Sequence, residues 1–221
     1  MRQILLRGAP GSGKSTLASL IRTRFPHVPL LSSGSLLRAH LSNNDSGMGN
    51  GQLADSDLVI NVMHAEFLKL VHAPTPVTAV LIDGFPRKID ELTQWIQLTS
   101  LPSAVVYCNC DEEVIVKKLI NRRMCSSCGK NYNSYKDEFL GPIVPTHDGR
   151  CDECGSELIQ RSDDREEAIW NRLTVYSENE ERIRQYFLKN VEIHRIVEID
   201  STSGREGLGK AVSSMSFFNN N

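Results

Sequence analysis

The sequence predicts an α/β fold built on a parallel five-stranded sheet with helices on both faces. Three observations carry that prediction. Short apolar runs alternate along the chain with segments of helical spacing, the rhythm of strand–helix–strand units. The run at residues 77–82 is almost uninterruptedly apolar, as in strands covered on both sides. A glycine-rich loop stands between the first apolar run and the first helical segment.

A chain of 221 residues suits one domain of ordinary size with a small insertion. The hydrophobic content of 40% and mean hydropathy of -0.29 describe a soluble globular protein with a real core. A formal net charge of -2 argues against a nucleic-acid-coating surface. No run approaches the roughly 18 apolar residues that a membrane span needs. The N-terminus enters a strand at once, which predicts a cytoplasmic chain without a leader segment.

Residues 4–6 open as a strand, and residues 14–25 carry Leu17, Leu20 and Ile21 at helical spacing up to Pro26. A strand at 28–31, a short helix at 36–41 and an Asn- and Gly-rich loop at 43–51 follow. Residues 57–71 set Val59, Ile60, Met63, Phe67 and Leu70 on one helical face. After the strand at 77–82 come a helix at 89–98, a strand at 104–107 and a helix at 112–121. At Met124 the rhythm breaks, and up to about Gln160 the chain turns to Cys, Gly, Asn, Asp and Pro. Helical spacing resumes over 164–190, a last strand is expected at 191–199 and a last helix at 206–214. The tail at 217–221 is expected to fray.

Gly8 and Gly13, followed by Lys14 and Ser15, fit G-x-x-x-x-G-K-[ST] between a strand and a helix. Such a loop turns backbone N–H groups around phosphate oxygens, and the helix N-terminus adds its positive dipole end. Lys14 then reaches the terminal phosphates, and Ser15 or Thr16 offers a hydroxyl to Mg²⁺. Asp83 closes the apolar strand at its C-terminal edge, where ligands bind in such sheets and a carboxylate can hold the ion's water shell.

Cys125-x₂-Cys128 and Cys151-x₂-Cys154 enclose 22 residues (129–150), a zinc-ribbon arrangement. Four thiolates close a tetrahedral shell with no open position, so the metal is expected to be structural. It supplies the stability that a small, aliphatic-poor insertion lacks. Nucleic-acid binding by the ribbon is disfavoured by Asp137, Glu138, Asp148, Asp152, Glu153 and Glu157. Paired disulfides are disfavoured in a cytosolic protein. Cys108 and Cys110, two apart at a strand end, are expected to pack on one side. The six histidines show no ligand or triad spacing.

Taken in order, GAPGSGKST, LSSGSLLR (31–38), DGFPR (83–87) and QRSDD (160–164) resemble adenylate kinase in its long form, where a lid replaces a short loop. The resemblance runs from residue 4 to about residue 203. It implies a P-loop core from residues 1–31, 63–122 and 161–221, a monophosphate-binding arm at 32–62 and a zinc-ribbon lid at 123–160. The implied reaction is Mg-dependent, direct in-line transfer, ATP + AMP = 2 ADP, by a monomer that takes small-molecule substrates and no nucleic acid or membrane. Lys14, Asp83, Arg87, Arg122, Arg161 and Arg172 are the implied catalytic set. For ATP the resemblance adds Gly11, Ser12, Gly13, Ser15, Thr16, Lys118, Asn131, Tyr132 and Ser203. For AMP it adds Ser33, Arg38, Gln52, Leu53, Ala54, Gly84, Phe85, Pro86 and Glu91, beside Arg87, Arg161 and Arg172.

Four departures from that pattern stand out. The glutamine that reads adenine in the family is Glu91 here, and an ionised carboxylate only accepts, which suits guanine's two donors better. The aspartate of the S-x-G-D-x-L-R pattern is Ser35, the segment after Arg38 is several residues short, and the arginine that stacks on the ATP base is Lys118, which has no flat guanidinium. A kinase of the same family acting on GMP, CMP or UMP, a nucleotide sensor without turnover, and a nucleic-acid-dependent ATPase with a zinc ribbon are the other readings.

Overall fold

The computed structural model describes residues 1–42, 53–134, 144–192, 195–202 and 204–215. The chain runs β1 (Arg2–Arg7), α1 (Lys14–Arg24), β2 (Leu30–Ser32), α2 (Ser33–Ser42), α3 (Ser56–Val71), β3 (Ala79–Asp83), α4 (Ile89–Leu98), β4 (Ala104–Asn109) and α5 (Glu112–Ile120). Then come β5 (Arg122–Cys125), β6 (Asn131–Asn133), β7 (Leu158–Ile159), a 3₁₀ turn (Ser162–Asp164), α6 (Glu166–Asn190), β8 (Ile196–Asp200) and α7 (Gly204–Ser214).

Five strands form one sheet in the order β2-β3-β1-β4-β8, with every pairing parallel. Successive side chains point to opposite faces of a strand, and here both faces are buried. Ile4 and Leu6 join Leu81, Val106, Leu17 and Ile21 beneath α1 and α7. Leu5 joins Val80, Ile82, Trp95, Ile183 and Phe187 beneath α3, α4 and α6. That two-sided burial is what made the sheet legible as continuous apolar runs. Register places Leu6 beside Asp83 and Ser32 beside Asp83, so the C-terminal ends of β1, β2 and β3 open onto one region.

A separate antiparallel sheet, β6-β5-β7, forms where the rhythm broke. Among the described residues its core is Cys125, Tyr132, Cys151 and Leu158, too few to hold it by burial alone.

Several boundaries differ from the sequence reading. The strand expected at 77–82 is Ala79–Asp83 and takes the aspartate into the sheet. Helix α6 starts at Glu166, because Ser162–Asp164 first turn as 3₁₀. Val191 ends α6, its N–H bonded to the Phe187 carbonyl, so the last strand is only Ile196–Asp200. Strand β4 stops at Asn109 and leaves Cys110 in the following loop, not beside Cys108. The loop expected at 43–51 and the tail at 217–221 lie outside the described residues. Among the described residues no helix is long and apolar enough to cross a membrane.

Candidate active site

The glycine loop between β1 and α1 has the geometry that its sequence demands. Gly13 caps α1 at φ 99, a left-handed conformation that side chains avoid. A Cβ on Gly8 would lie 2.3 Å from the Cys108 carbonyl oxygen. The loop is tied down from beneath, where the Ser12 carbonyl accepts from Ser201 Oγ at 2.5 Å and from Cys108 Sγ at 3.1 Å. Cys108 is thus a packing residue, as its position suggested. Cys110 also packs, against the cluster of Ile115, Leu119, Ile169 and Leu173, and accepts from Lys118 Nζ at 3.7 Å.

Lys14, the first residue of α1, folds its ammonium back onto the loop and donates to the carbonyls of Gly8 and Ala9 at 2.8 and 2.7 Å. Burial lowers its pKa, while Asp83 pulls the other way. The Asp83 carboxyl is pushed up by burial and held back by Lys14, Arg87 and Arg38. Asp83 Oδ1 is buried with no hydrogen-bond partner among the described residues. An orphaned carboxylate oxygen beside a phosphate loop, with the Ser15 hydroxyl on the same cavity wall, fits a hydrated Mg²⁺. Bound there with the triphosphate, the ion would neutralise phosphate charge.

One cavity collects most of the expected residues: Gly11, Lys14 and Ser15; Ser33, Arg38, Leu53 and Ala54; Asp83, Gly84, Phe85, Pro86, Arg87 and Glu91; and Arg122, Asn131, Arg161 and Arg172. Gly84 stands at φ 71, and its carbonyl accepts from Ser33 Oγ at 2.6 Å and from Arg87 Nε at 2.7 Å. This joins the start of α2 to the DGFPR loop. Arg38 is pushed down to about 10 by burial and by Arg161, Arg122 and Arg87 around it, with Asp163 opposing. Arg172 is likewise held at about 10 by burial and by Arg122 and Arg161, again against Asp163. Guanidinia that destabilise one another in a shared space make a site for polyanions.

Two aspartates that the sequence reading did not assign hold those arginines. Asp163 accepts from Arg161 Nε and Nη2 at 2.9 and 2.6 Å and pairs with Arg172 at 3.2 Å. Asp164 accepts from Arg122 Nε and Nη2 and from Arg172 Nη1. Their signal was the QRSDD motif itself. A second missed pair is Arg7 and Glu180, both buried, joined through two hydrogen bonds of 2.8 and 2.6 Å. Arg7 also donates to the Pro86 carbonyl at 2.6 Å, so one guanidinium links β1, α6 and the DGFPR loop.

Some expected residues stand apart from the cavity. Ser12, Gly13 and Thr16 belong to the loop and to α1 behind its surface. Lys118 faces Cys110, and its carbonyl accepts from Asn133 Nδ2 at 2.7 Å. The Tyr132 ring faces the lid interior: it is 2% exposed, with its hydroxyl against Cys151 Sγ at 3.3 Å and accepting from the Asp152 N–H at 2.8 Å. Gln52 and Ser203 lie outside the described residues.

The four lid cysteines are free thiols whose sulfurs all lie within 4.8 Å of one another. Cys125 and Cys154 are 3.4 Å apart, and Cys128 and Cys151 3.6 Å, too far for disulfides. A tetrahedral zinc with bonds of about 2.3 Å sets its sulfurs about 3.8 Å apart. The donor set and spacing therefore fit a closed structural zinc site.

A phosphate loop, a strand-end aspartate and converging arginines over a parallel sheet define a nucleoside monophosphate kinase, a phosphotransferase. The family described as adenylate kinase matches residues 6–192. An adenylate kinase of Petrotoga mobilis is 34% identical over 219 residues, 94% of each chain. One from Methanothrix thermoacetophila is 36% identical over 197 residues, 84% of this chain and 86% of its own. Another, from Archaeoglobus fulgidus, is 30% identical over 225 residues, 96% of each. The chain belongs to the adenylate kinase family.

Proposed function

We propose that the protein transfers the γ-phosphoryl group of MgATP to AMP, giving two ADP, with the catalytic roles distributed among residues of this one cavity. The carrying observation is the convergence of Lys14, Asp83, Arg87, Arg161 and Arg172 on a single volume. The glycine loop with Lys14 binds the triphosphate, and Ser15 and Asp83 hold the ion that accompanies it. Arg38 and Arg87 bind the monophosphate, while Arg122, Arg161 and Arg172 surround the transferring group. No side chain has to act as a nucleophile, because the acceptor is already a phosphate oxygen. Fixed cations instead stabilise charge spread over the transferred group, without reorganising during the reaction.

The arm at 32–62 takes the monophosphate, and the lid at 123–160 closes over both substrates. Closure expels water and so protects ATP from hydrolysis. On binding, substrate phosphates replace Asp163 and Asp164 as partners for part of the arginine set. The test is stoichiometric: with MgATP and AMP supplied together, two ADP form per ATP consumed and no free phosphate appears. One ADP and one phosphate per ATP, independent of AMP, overturns the reading.

A further inference from the structure

Glu91 stands on the cavity wall with Leu53, Ala54 and Val59, and is 2% exposed. A carboxylate offers about four lone pairs, and the fold has already committed most of them. Oε2 accepts from the main-chain N–H groups of Arg87 at 2.7 Å and Lys88 at 3.3 Å, capping α4. Oε1 accepts from Ser56 Oγ at 3.1 Å. Lys88 Nζ donates to Ser56 Oγ at 3.0 Å. An ammonium can only donate, so the serine oxygen accepts from Lys88 and its hydrogen is turned toward Glu91.

We propose that Ser56 is a specificity-determining residue for the acceptor base. By filling one lone pair of Glu91 Oε1, it leaves the carboxylate a single acceptor for the base. One acceptor serves the 6-amino group of adenine. It is too few for guanine, whose pairing edge carries two donors, a ring N–H and an amino group. Oε2, with both lone pairs aimed at the backbone, presents little negative density to the adenine ring nitrogen. The glutamate that seemed to favour guanine is thereby restricted to an adenine-like base. This inference rests on the reading of Glu91 as the residue that faces the acceptor base.

The test measures kcat/KM for AMP and GMP, at saturating MgATP, for wild type, Ser56→Ala, Ser56→Thr and Lys88→Met. Asp55 caps α3 through its bond from the Leu58 N–H at 3.0 Å, so removing the Ser56 hydroxyl leaves the helix start intact. Ser56→Ala is expected to raise the GMP-to-AMP ratio about tenfold or more, the worth of one added base contact. Ser56→Thr keeps the hydroxyl and the wild-type ratio. Lys88→Met, which frees the hydroxyl to turn, shifts the ratio in the same direction by less. A merely structural serine lowers both values together, and an unchanged ratio in Ser56→Ala overturns the proposal. A wild-type enzyme that uses GMP as well as AMP overturns the acceptor reading itself, a result visible before any variant is made.

Discussion

Arg122 and Asp164, 42 residues apart in the chain, clasp each other at the base of the lid. Arg122 Nε donates to Asp164 Oδ2 at 2.7 Å, its Nη2 donates to Oδ1, and the carboxylate is fully buried. Arg122 opens β5 on the way into the lid, and Asp164 ends the turn on the way out. Arg172 reaches the same Oδ1 at 3.4 Å from α6. A pair so placed ties the chain entering the lid to the chain leaving it while holding two guanidinia at the cavity.

Removing one partner of a buried pair leaves the other charge uncompensated. Asp164→Ala is therefore expected to cost about 3–5 kcal/mol of stability, read as a lower urea midpoint with an unchanged slope. Asp164→Asn, which keeps the shape and one acceptor, should cost less. A loss below about 1 kcal/mol for the alanine variant, the scale of an exposed pair, contradicts the clasp.

The lid should hold one zinc per chain. Among the described residues its antiparallel sheet has a four-residue core, two members of which are cysteine ligands, so metal binding and lid folding are one process. Cys128→Ser is expected to weaken zinc binding by more than about a hundredfold, the upper end for merely supporting residues. Metal analysis and competition with a chromogenic chelator read this directly. Chelation should expose the lid to protease while the five-stranded core stays resistant, and a metal-free lid as resistant as the native one contradicts the assignment.

Among the described residues Lys14 bonds only to carbonyls of its own loop, so its loss should spare the fold. Lys14→Met is expected to lower kcat about 10²–10³-fold, as removal of a preorganised donor does, with an unchanged circular dichroism spectrum. Unaltered kcat with raised KM would assign the lysine to binding alone.

Asp163 gives a pH signature. Burial pushes its carboxyl up, but Arg172 and Arg161 more than reverse that and leave it below the ordinary 3.8. A depressed carboxylate pKa contributes stability above the unfolded value, and that stability is lost as pH falls through the folded value. Asp163→Asn should thus cost about 1–3 kcal/mol at neutral pH. The gap from wild type should close as pH drops below the ordinary carboxylate range. A gap that is constant with pH contradicts the ionic role.

Helix α4 was legible to its end residues because it is amphipathic and follows directly on the DGFPR loop. The buried strands were legible because both sheet faces need apolar side chains. The 3₁₀ turn before α6 was not, since Asp164, its last residue, leads into the acidic first turn of the helix and was read as the helix start. Nor was the burial of the Tyr132 ring, because a three-residue strand carries no periodicity to say which way a ring faces. The sequence reading ended the first strand at Leu6 and left Arg7 out of the site, yet its charge is matched by Glu180 in distant α6. Glu91 was visible as a substitution, but its chemistry depends on Ser56 at the start of α3. Pairings between remote elements leave no local spacing to read.

The most direct measurement is phosphoryl transfer from MgATP to AMP, GMP, CMP and UMP in parallel, scored by nucleoside diphosphate formed. AMP should be preferred by about a hundredfold or more in kcat/KM, roughly 3 kcal/mol of transition-state discrimination. If ATP binds and no monophosphate accepts its phosphoryl group, the cavity is a nucleotide sensor and the catalytic account is wrong.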